Sequence, residues 1–177
     1  MLYWHFRNFQ CILCSFFRKK INPTEIISRK FFANPWDTDW GNSIQAGRFF
    51  TYTDAARWEI AGSLGFLKQS WKKKWVVIIG GQKIIYRHPV RIFKFFNLNM
   101  RILGWDDKWF YAAHKFEQKS KTCCVSFTKI GLRTNGKLFS PIQAFQQIGF
   151  EQIIPPQWLL KHFQNDLETI QEMESAF

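Results

Sequence analysis

The chain has 177 residues, the size of one ordinary domain, and its 25 Lys and Arg against 13 Asp and Glu give a formal net charge of +12. Because 46% of the residues are hydrophobic and 21% are charged, the chain can bury a core, which excludes the class of disordered, highly charged proteins. Nine Trp, 20 Phe and four Tyr make it rich in aromatic side chains. Such side chains suit either a curved sheet packed on a helix or an apolar ligand channel.

The start of the chain combines an apolar helical pattern with positive charge. Apolar side chains recur every three or four residues, namely at Leu2, Phe6, Phe9, Leu13 and Phe16. This spacing predicts a helix with one apolar face, and three cations follow at positions 18–20. Polar interruptions disfavour a bilayer-spanning helix. Two alternatives stay open: a helix lying on an anionic membrane surface, or a helix packed against the body of the protein or a partner subunit.

The remaining elements follow in the order strand, helix, strands, helices. We expect a first strand over Glu25–Ala33 and a buried helix from about Gln45 to Gly62 or Gly65, because its apolar residues recur at three and four. The later strands are predicted at Trp75–Tyr86 with a bend at Gly80 and Gly81, Phe93–Leu103, Trp109–Glu117 and Lys121–Leu132. A short helix near Pro141–Ile148 and a final helix from Pro155 to about Met173 close the chain.

This order predicts an α+β architecture in which a curved antiparallel sheet wraps around one long central helix. We divide the chain into an N-terminal helical segment at 1–24, a domain at 25–145 and a C-terminal helical tail at 146–177. The positive charge is concentrated at residues 67–141, which carry sixteen basic and three acidic side chains. A phosphate-bearing ligand and an anionic membrane both fit this excess, whereas nucleic acid is a distant third.

Three stretches resemble the hotdog-fold acyl thioesterases, the superfamily that includes 4-hydroxybenzoyl-CoA thioesterase. The run from Asp37 to Phe49, D-T-D-W-G-N-S-I-Q-A-G-R-F, is similar to the family stretch D-x-D-x-x-G-H-x-N-N-x-R-Y. The run D-A-A-R-W-E that begins at Asp54 resembles the helix pattern E-x-A-R-x-E. The run from Arg101 to Tyr111 looks like the branch that contains thioesterase superfamily member six and its bacterial relatives. The resemblance implies a hotdog fold over about residues 25–145.

In this family a carboxylate near the start of the central helix commonly acts as general base or nucleophile, which points to Asp39 and then to Asp37 as catalytic residues. The N–H groups of a helix N-terminus can stabilise the oxyanion that forms when a thioester carbonyl is attacked. Where the family has His and then Asn-Asn, this chain has Ser43 and then Gln45-Ala46. Ser43 could replace part of the missing hydrogen-bonding set as a third catalytic residue. Alternatively, Asn42 and Ser43 simply cap the central helix.

Substrate contacts are predicted at Gln45, Arg48, Asp54, Lys72, Lys73 and Lys74. Arg48 could reach a pantetheine or phosphate oxygen, and the three lysines could meet phosphates near the mouth of the pocket. The alternatives are an ion pair of Arg48 with Asp54 or a strand carboxylate, an ion pair of Arg57 with Asp54 or Glu59, and a solvated lysine loop.

Together, these expectations predict a thioesterase that acts on fatty acyl-CoA or on a fatty acyl carrier protein. The alternative is a non-catalytic protein that binds acyl thioesters or lipids. The resemblance implies a homodimer. No cofactor is expected, and no metal site, because Cys11 and Cys14 form a lone C-x-x-C without a second ligand pair. Reduced cysteines favour a cytoplasmic protein, with membrane association through the N-terminal segment as an option.

Overall fold

The computed structural model describes residues 2–17 and 20–176. The helices are α1 (Leu2–Phe17), α2 (Ala46–Ser63), α3 (Phe66–Lys73), α4 (Pro141–Gln147), α5 (Gln157–Lys161) and α6 (Asp166–Ala176). The strands are β1 (Ile27–Phe32), β2 (Val76–Tyr86), β3 (Phe95–Trp105), β4 (Phe110–Gln118), β5 (Lys121–Thr134) and β6 (Lys137–Phe139). A short 3-10 turn at Pro35–Asp37 precedes α2.

The strands form one antiparallel sheet in the order β1-β3-β4-β5-β2, and the short β6 pairs with β5. β1 and β2 are therefore the two edges of the main path. The predicted bend in β2 is confirmed, because the pairing with β5 shifts register between Ile79 and Gly81. Gly80 is required there, since a side-chain carbon at this position would collide with the ring of Trp109.

Helix α2 lies against the inner face of this sheet, which confirms the expected α+β arrangement. Its buried side chains include Phe49 and Tyr52, and the inward face of the sheet supplies Phe96 and Phe116. The ring centroids of Phe49 and Phe116 are 5.0 Å apart, and those of Tyr52 and Phe96 are also 5.0 Å apart, both in edge-on geometry. Many of the aromatic side chains thus pack between the sheet and the helix that it surrounds.

Helix α1 confirms the predicted N-terminal helix, and it packs against α2 through its polar and small side chains. Arg7, Cys11 and Ser15 are buried, whereas the apolar Phe9, Leu13 and Phe16 are exposed. The side chains of two further members of the predicted apolar face, at positions 2 and 6, lie outside the described residues, as do positions 18 and 19. Within the described ranges, no helix has both the length and the apolar character needed to cross a membrane.

Two elements differ from the sequence-based expectation. The lysine-rich stretch from Lys68 to Lys74 is not a loop, because most of it belongs to α3, which buries Leu67 and Ser70 and exposes its lysines. Three buried positions, Phe66, Leu67 and Ser70, hold this short helix, and the surrounding charges hide that signal. The single C-terminal helix is interrupted at residues 162–165, so that α5 and α6 are separate.

The close contact between α1 and α2 depends on Gly62. A side-chain carbon there would collide with the Ser15 side chain of α1, whereas one at Gly47, near the start of α2, would meet no atom within 4 Å. We expect Gly62→Ala to lower the free energy of unfolding by about 1–3 kcal/mol. Gly47→Ala should leave it unchanged or raise it by up to about 1 kcal/mol. Urea unfolding of the two variants measures this difference, and equal effects would contradict the packing described.

Candidate active site

The loop between the 3-10 turn and α2 carries three of the nine predicted site residues, and backbone hydrogen bonds hold it in one shape. The N–H of Gln45 donates to the carbonyl oxygen of Asp37 at 2.9 Å, and the N–H of Asp39 donates to that of Ser43 at 3.0 Å. The Ile44 N–H donates to the Val90 carbonyl oxygen at 2.9 Å, which joins the loop to the segment before β3. The loop therefore presents its side chains from a fixed backbone.

Asp37, the first carboxylate of the D-x-D pair, is buried with only 3% of its surface exposed. Its Oδ2 accepts hydrogen bonds from the Arg7 guanidinium and from the Tyr52 hydroxyl, both at 2.7 Å. The Nε of Arg48 lies 3.8 Å from Oδ1. The Arg7 guanidinium also stacks 3.8 Å above the centre of the Tyr52 ring. Asp37 is therefore a structural anchor that ties α1 and α2 to the loop.

Asp39, the second carboxylate, is exposed. Its Oδ1 accepts a hydrogen bond from the Gly41 N–H at 2.9 Å, and longer ones from the N–H and hydroxyl of Ser43 at 3.4 and 3.3 Å. Among the described residues, none donates to its Oδ2. The first oxygen thus fixes the orientation of the carboxylate in a turn, while the second faces solvent and can accept a proton.

The N-terminus of α2 begins immediately after this turn. Its N-cap residue is Gln45, whose side chain makes no capping hydrogen bond. The expectation that Asn42 or Ser43 caps the helix is therefore wrong: the chain passes through Asn42 with a φ of 55° before the helix starts. The N–H groups in the first turn of an α-helix have no partner within the helix. Those of Ala46 and Gly47 lie at an exposed end of the helix, where an oxyanion could approach.

A separate cavity of about 500 Å³ lies between α2, α3 and the inner face of the sheet. Its walls are mostly apolar and include Ile60, Leu64, Phe66, Met100, Ile102 and Phe110. Trp71, Trp75 and Val76 also line it. The exposed Lys72, Lys73 and Lys74 lie between these residues in the chain, at the end of α3, and therefore flank the cavity.

Asp54 and Arg57 supply the charged part of the cavity wall. They form an ion pair three residues apart on α2, which confirms one of the predicted alternatives. Arg57 also donates to the Thr53 hydroxyl at 3.2 Å and to the Thr128 hydroxyl at 3.4 Å. Burial lowers the pKa of Arg57 to about 10, so the guanidinium stays charged at neutral pH.

His114 lies on the inner face of the sheet, outside the set of predicted catalytic residues. Burial, and then the positive charge of Arg57, lower its pKa to about 3. Its ring nitrogens lack hydrogen-bond partners of good geometry among the described residues. A buried imidazole that stays neutral at physiological pH and is shielded from solvent is a core residue here, in agreement with its strand position.

The predicted site residues thus fall into three places. Asp39, Ser43 and Gln45 share the loop before α2, and Asp37 lies beneath them with Arg48 at its side. The alternative pairing of Arg48 with Asp54 is wrong, because Arg48 is directed toward Asp37. Asp54 lies about 14 Å farther along α2 than Gln45, because each helical residue adds about 1.5 Å to the length of the helix. The lysines lie beyond it, at the end of α3.

Sequence reasoning missed the residues that hold the loop. Arg7 and Tyr52 bind Asp37, and Arg91 donates a hydrogen bond from its guanidinium to the Gly41 carbonyl oxygen at 2.9 Å. Only Arg7 gave a signal, as the single charge among the first 17 residues. A lone charge in an apolar stretch indicates a buried partner, but it does not identify that partner 30 positions away.

The two carboxylates of the D-x-D pair should respond differently to neutralisation. Asp37→Asn removes the negative charge that the buried Arg7 guanidinium contacts at 2.7 Å, so we expect the free energy of unfolding to fall by about 3 kcal/mol. Asp39→Asn should leave it unchanged, because an amide oxygen can accept the same hydrogen bonds in the turn. Thermal and urea unfolding of both variants provide the measurement. A stable Asp37→Asn protein would contradict the anchoring role.

Comparisons with known proteins agree with this architecture. The thioesterase YBR096W of Saccharomyces cerevisiae, described as probable, is 25% identical over 122 residues, which cover 67% of this chain and 53% of that protein. Protein THEM6 of Danio rerio is 29% identical over 84 residues, covering 48% of this chain and 42% of that protein. The chain therefore matches about half the length of these curated relatives.

Solved structures show the same fold. Slr0204 of Synechocystis, a 1,4-dihydroxy-2-naphthoyl-CoA thioesterase, superposes with a TM-score of 0.61 over 70% of this chain and 95% of its own, at 13% identity. This likeness confirms the hotdog fold. The profile of the thioesterase-like superfamily matches residues 33–149. Because this match covers most of the chain and the sheet wraps around α2 as in the solved structure, we conclude that the protein belongs to the thioesterase-like superfamily.

Proposed function

We propose that this protein hydrolyses an acyl thioester of coenzyme A or of an acyl carrier protein, with Asp39 as general base or nucleophile. One observation carries the proposal: Asp39 is exposed, no described residue donates to its Oδ2, and its loop leads directly into the uncapped N-terminus of α2. Membership of the thioesterase-like superfamily supports the reaction class. The juxtaposition of a base and unpaired N–H donors is what attack on a thioester carbonyl requires.

In the general-base route, Oδ2 of Asp39 takes a proton from water while the water oxygen attacks the carbonyl carbon. The resulting oxyanion accepts hydrogen bonds from the N–H groups of Ala46 and Gly47. When the intermediate collapses, the carbon–sulfur bond breaks and the thiolate takes a proton from the Asp39 carboxyl, which yields the acid and a free thiol. In the nucleophilic route the same carboxylate attacks the carbonyl carbon, the carbon–sulfur bond breaks, and the thiolate leaves behind a mixed anhydride. Water then cleaves the anhydride, which restores the Asp39 carboxylate and releases the acid, and a proton from that water ends on the thiolate.

Ser43 and Gln45 act as orienting groups in either route. The Ser43 hydroxyl donates to Asp39 Oδ1 at 3.3 Å, so it helps to aim the carboxylate. The exposed Gln45 side chain, which is not used as a cap, can reach the substrate carbonyl or the attacking water. Arg48, whose side chain is 44% exposed, keeps its guanidinium near the loop and could contact a pantetheine or phosphate oxygen.

The cavity beside α2 and α3 fits the acyl group. Its walls are mostly apolar, and its volume of about 500 Å³ suits a chain of several carbons or an aromatic acyl group. The adjacent Lys72, Lys73 and Lys74 supply positive charge for the phosphates of the carrier. The comparison with Slr0204, which acts on a CoA thioester, supports coenzyme A as the carrier. Asp54, paired with Arg57 at the cavity wall, would contact the acyl group from its polar side.

A second copy of the chain would bring these parts together. In one protomer the cavity lies about 14 Å along α2 from the Asp39 loop, too far for a single short thioester group to touch both. The edge strand β2 exposes apolar side chains, among them Val77, Ile79 and Ile85. A long apolar strand edge favours pairing with another strand. We therefore infer a homodimer that pairs along β2 and forms its sites between subunits.

One observation favours a second function, a non-catalytic acyl-thioester or lipid-binding protein. The His and Asn-Asn positions of the family stretch are occupied by Ser43, Gln45 and Ala46, so an imidazole and two amides are replaced. The fold, the cavity and the basic residues would serve binding without turnover equally well.

Turnover separates the two functions. Purified protein incubated with a panel of acyl-CoAs should release free coenzyme A, and Asp39→Asn should lower kcat/KM at least about 100-fold, because the proton acceptor is lost. Glu151→Gln, which neutralises an exposed carboxylate outside the loop, is the matched control and should leave kcat/KM unchanged. Coenzyme A is quantified by chromatography, because the exposed Cys14 would react with a thiol reagent.

Two results would contradict the enzymatic proposal. Tight binding of acyl-CoA without turnover across the panel would establish the binding protein instead. Full activity of Asp39→Asn would show that another residue activates the nucleophile.

The inferred dimer is tested by charging its edge strand. Ile79→Lys/Ile85→Lys should convert a dimer into a monomer in light scattering after gel filtration, since two lysines per strand disfavour pairing of like edges. Ile154→Lys changes a more exposed apolar side chain outside the sheet and should leave the dimer intact. A wild-type monomer would overturn the inference.

A further inference from the structure

We propose that α1 docks this protein on the surface of an anionic lipid bilayer, with the face formed by Phe9, Leu13 and Phe16 in contact with lipid and the opposite face bound to α2. We name these three residues the outer face of α1. The inference is independent of the proposed hydrolysis, because a binding protein with the same α1 would dock in the same way.

The orientation of α1 is opposite to that of an ordinary surface helix. Such helices bury their apolar stripe against the core and expose polar residues. Here Phe9 is 61% exposed, Leu13 46% and Phe16 60%, while Arg7, Asn8 and Ser15 are buried. The helix is held to the body largely by polar contacts, so Phe9, Leu13 and Phe16 are left for an external partner.

The contacts of the buried face fix this orientation. The Arg7 guanidinium donates to buried Asp37 at 2.7 Å, and Ser15 packs against Gly62 with no room for a larger side chain. Turning the outer face inward would leave Asp37 without this cation and place Phe side chains at Gly62. Because a buried carboxylate that loses its nearest cation is destabilised, the outer face stays exposed as long as the protein is folded.

The charge around α1 identifies the partner as anionic. Residues 1–24 contain four Lys and Arg and no Asp or Glu. Three of these cations directly follow the helix at positions 18–20. The Lys20 amine donates a hydrogen bond to the Ile148 carbonyl oxygen at 2.9 Å and lies 4.9 Å from the centre of the Phe150 ring. Aromatic residues on one face with adjacent cations are the composition of helices that lie in the interface of anionic membranes.

The same charges argue against a second copy of the chain as the partner. A symmetric contact through the outer face would bring two cationic segments together, and α1 has no carboxylate to neutralise them. A bilayer that contains anionic lipid supplies both an apolar layer and negative charge. A surface position also agrees with the length of α1, since 16 residues extend about 24 Å, less than the hydrocarbon core of a bilayer.

Vesicle flotation with the full chain tests the proposal. Wild-type protein should float with vesicles of phosphatidylcholine and phosphatidylserine and bind vesicles of phosphatidylcholine alone much more weakly. Phe9→Ser/Phe16→Ser should lower partitioning onto the anionic vesicles at least about tenfold. Lys20→Gln should lower it about fivefold. The matched control, Leu138→Ser/Ile154→Ser, removes two equally exposed apolar side chains elsewhere and should float like the wild type.

Unfolding curves and light scattering are measured for the same proteins as controls for the flotation experiment. Because Phe9 and Phe16 are exposed, the double variant should keep the wild-type melting temperature, and any loss of flotation then reports the outer face and not the fold. Wild-type protein that stays unbound, or a double variant that floats as well as the wild type, would overturn the proposal. Oligomers that dissociate only in the Phe9→Ser/Phe16→Ser variant would assign the outer face to a second copy instead and would likewise overturn it.

Discussion

The buried ion pair of Arg7 and Asp37 is the interaction on which the rest of the structure depends. It joins three parts of the chain, since Arg7 belongs to α1, Asp37 ends the turn before the site loop, and Tyr52 of α2 donates to the same carboxylate oxygen. The pair is far from water and therefore intolerant of the loss of one partner. Its geometry holds the loop that presents Asp39 and fixes which face of α1 is exposed.

The elements with strong periodicity could be predicted from the sequence. The alternating strands and α2 were recognisable from their apolar spacing, and the Gly80-Gly81 pair correctly marked the bulge in β2. Helix α3 could not be recognised, because it rests on three buried positions, Phe66, Leu67 and Ser70, beside and within a run of lysines. Likewise, the break between α5 and α6 could not be predicted, because residues 162–165 contain no Pro or Gly.

The sequence predicted where the candidate site lies, but it did not predict that Asp37 and Asp39 differ in burial. The D-x-D pair and the start of α2 pointed to the loop, and the family resemblance ranked Asp39 before Asp37, yet the sequence does not show that Asp37 is buried and Asp39 exposed. Their difference arises from Arg7, which lies 30 positions from Asp37 and buries one carboxylate while leaving the other in solvent. Capping was misassigned for a similar reason: the chain turns at Asn42 and pairs with Val90 before the helix begins at Ala46.

The central claim is that Asp37 supports the loop and Asp39 performs the chemistry. Turnover of an acyl-CoA by Arg7→Met/Asp37→Leu tests it most directly, because removing both members of the pair leaves neither of them buried alone and often preserves stability, and the loop keeps its backbone hydrogen bonds. If the account is right, this folded double variant still releases coenzyme A, whereas Asp39→Asn does not. A folded double variant without turnover, beside an active Asp39→Asn protein, would assign the chemistry to Asp37 and contradict the account.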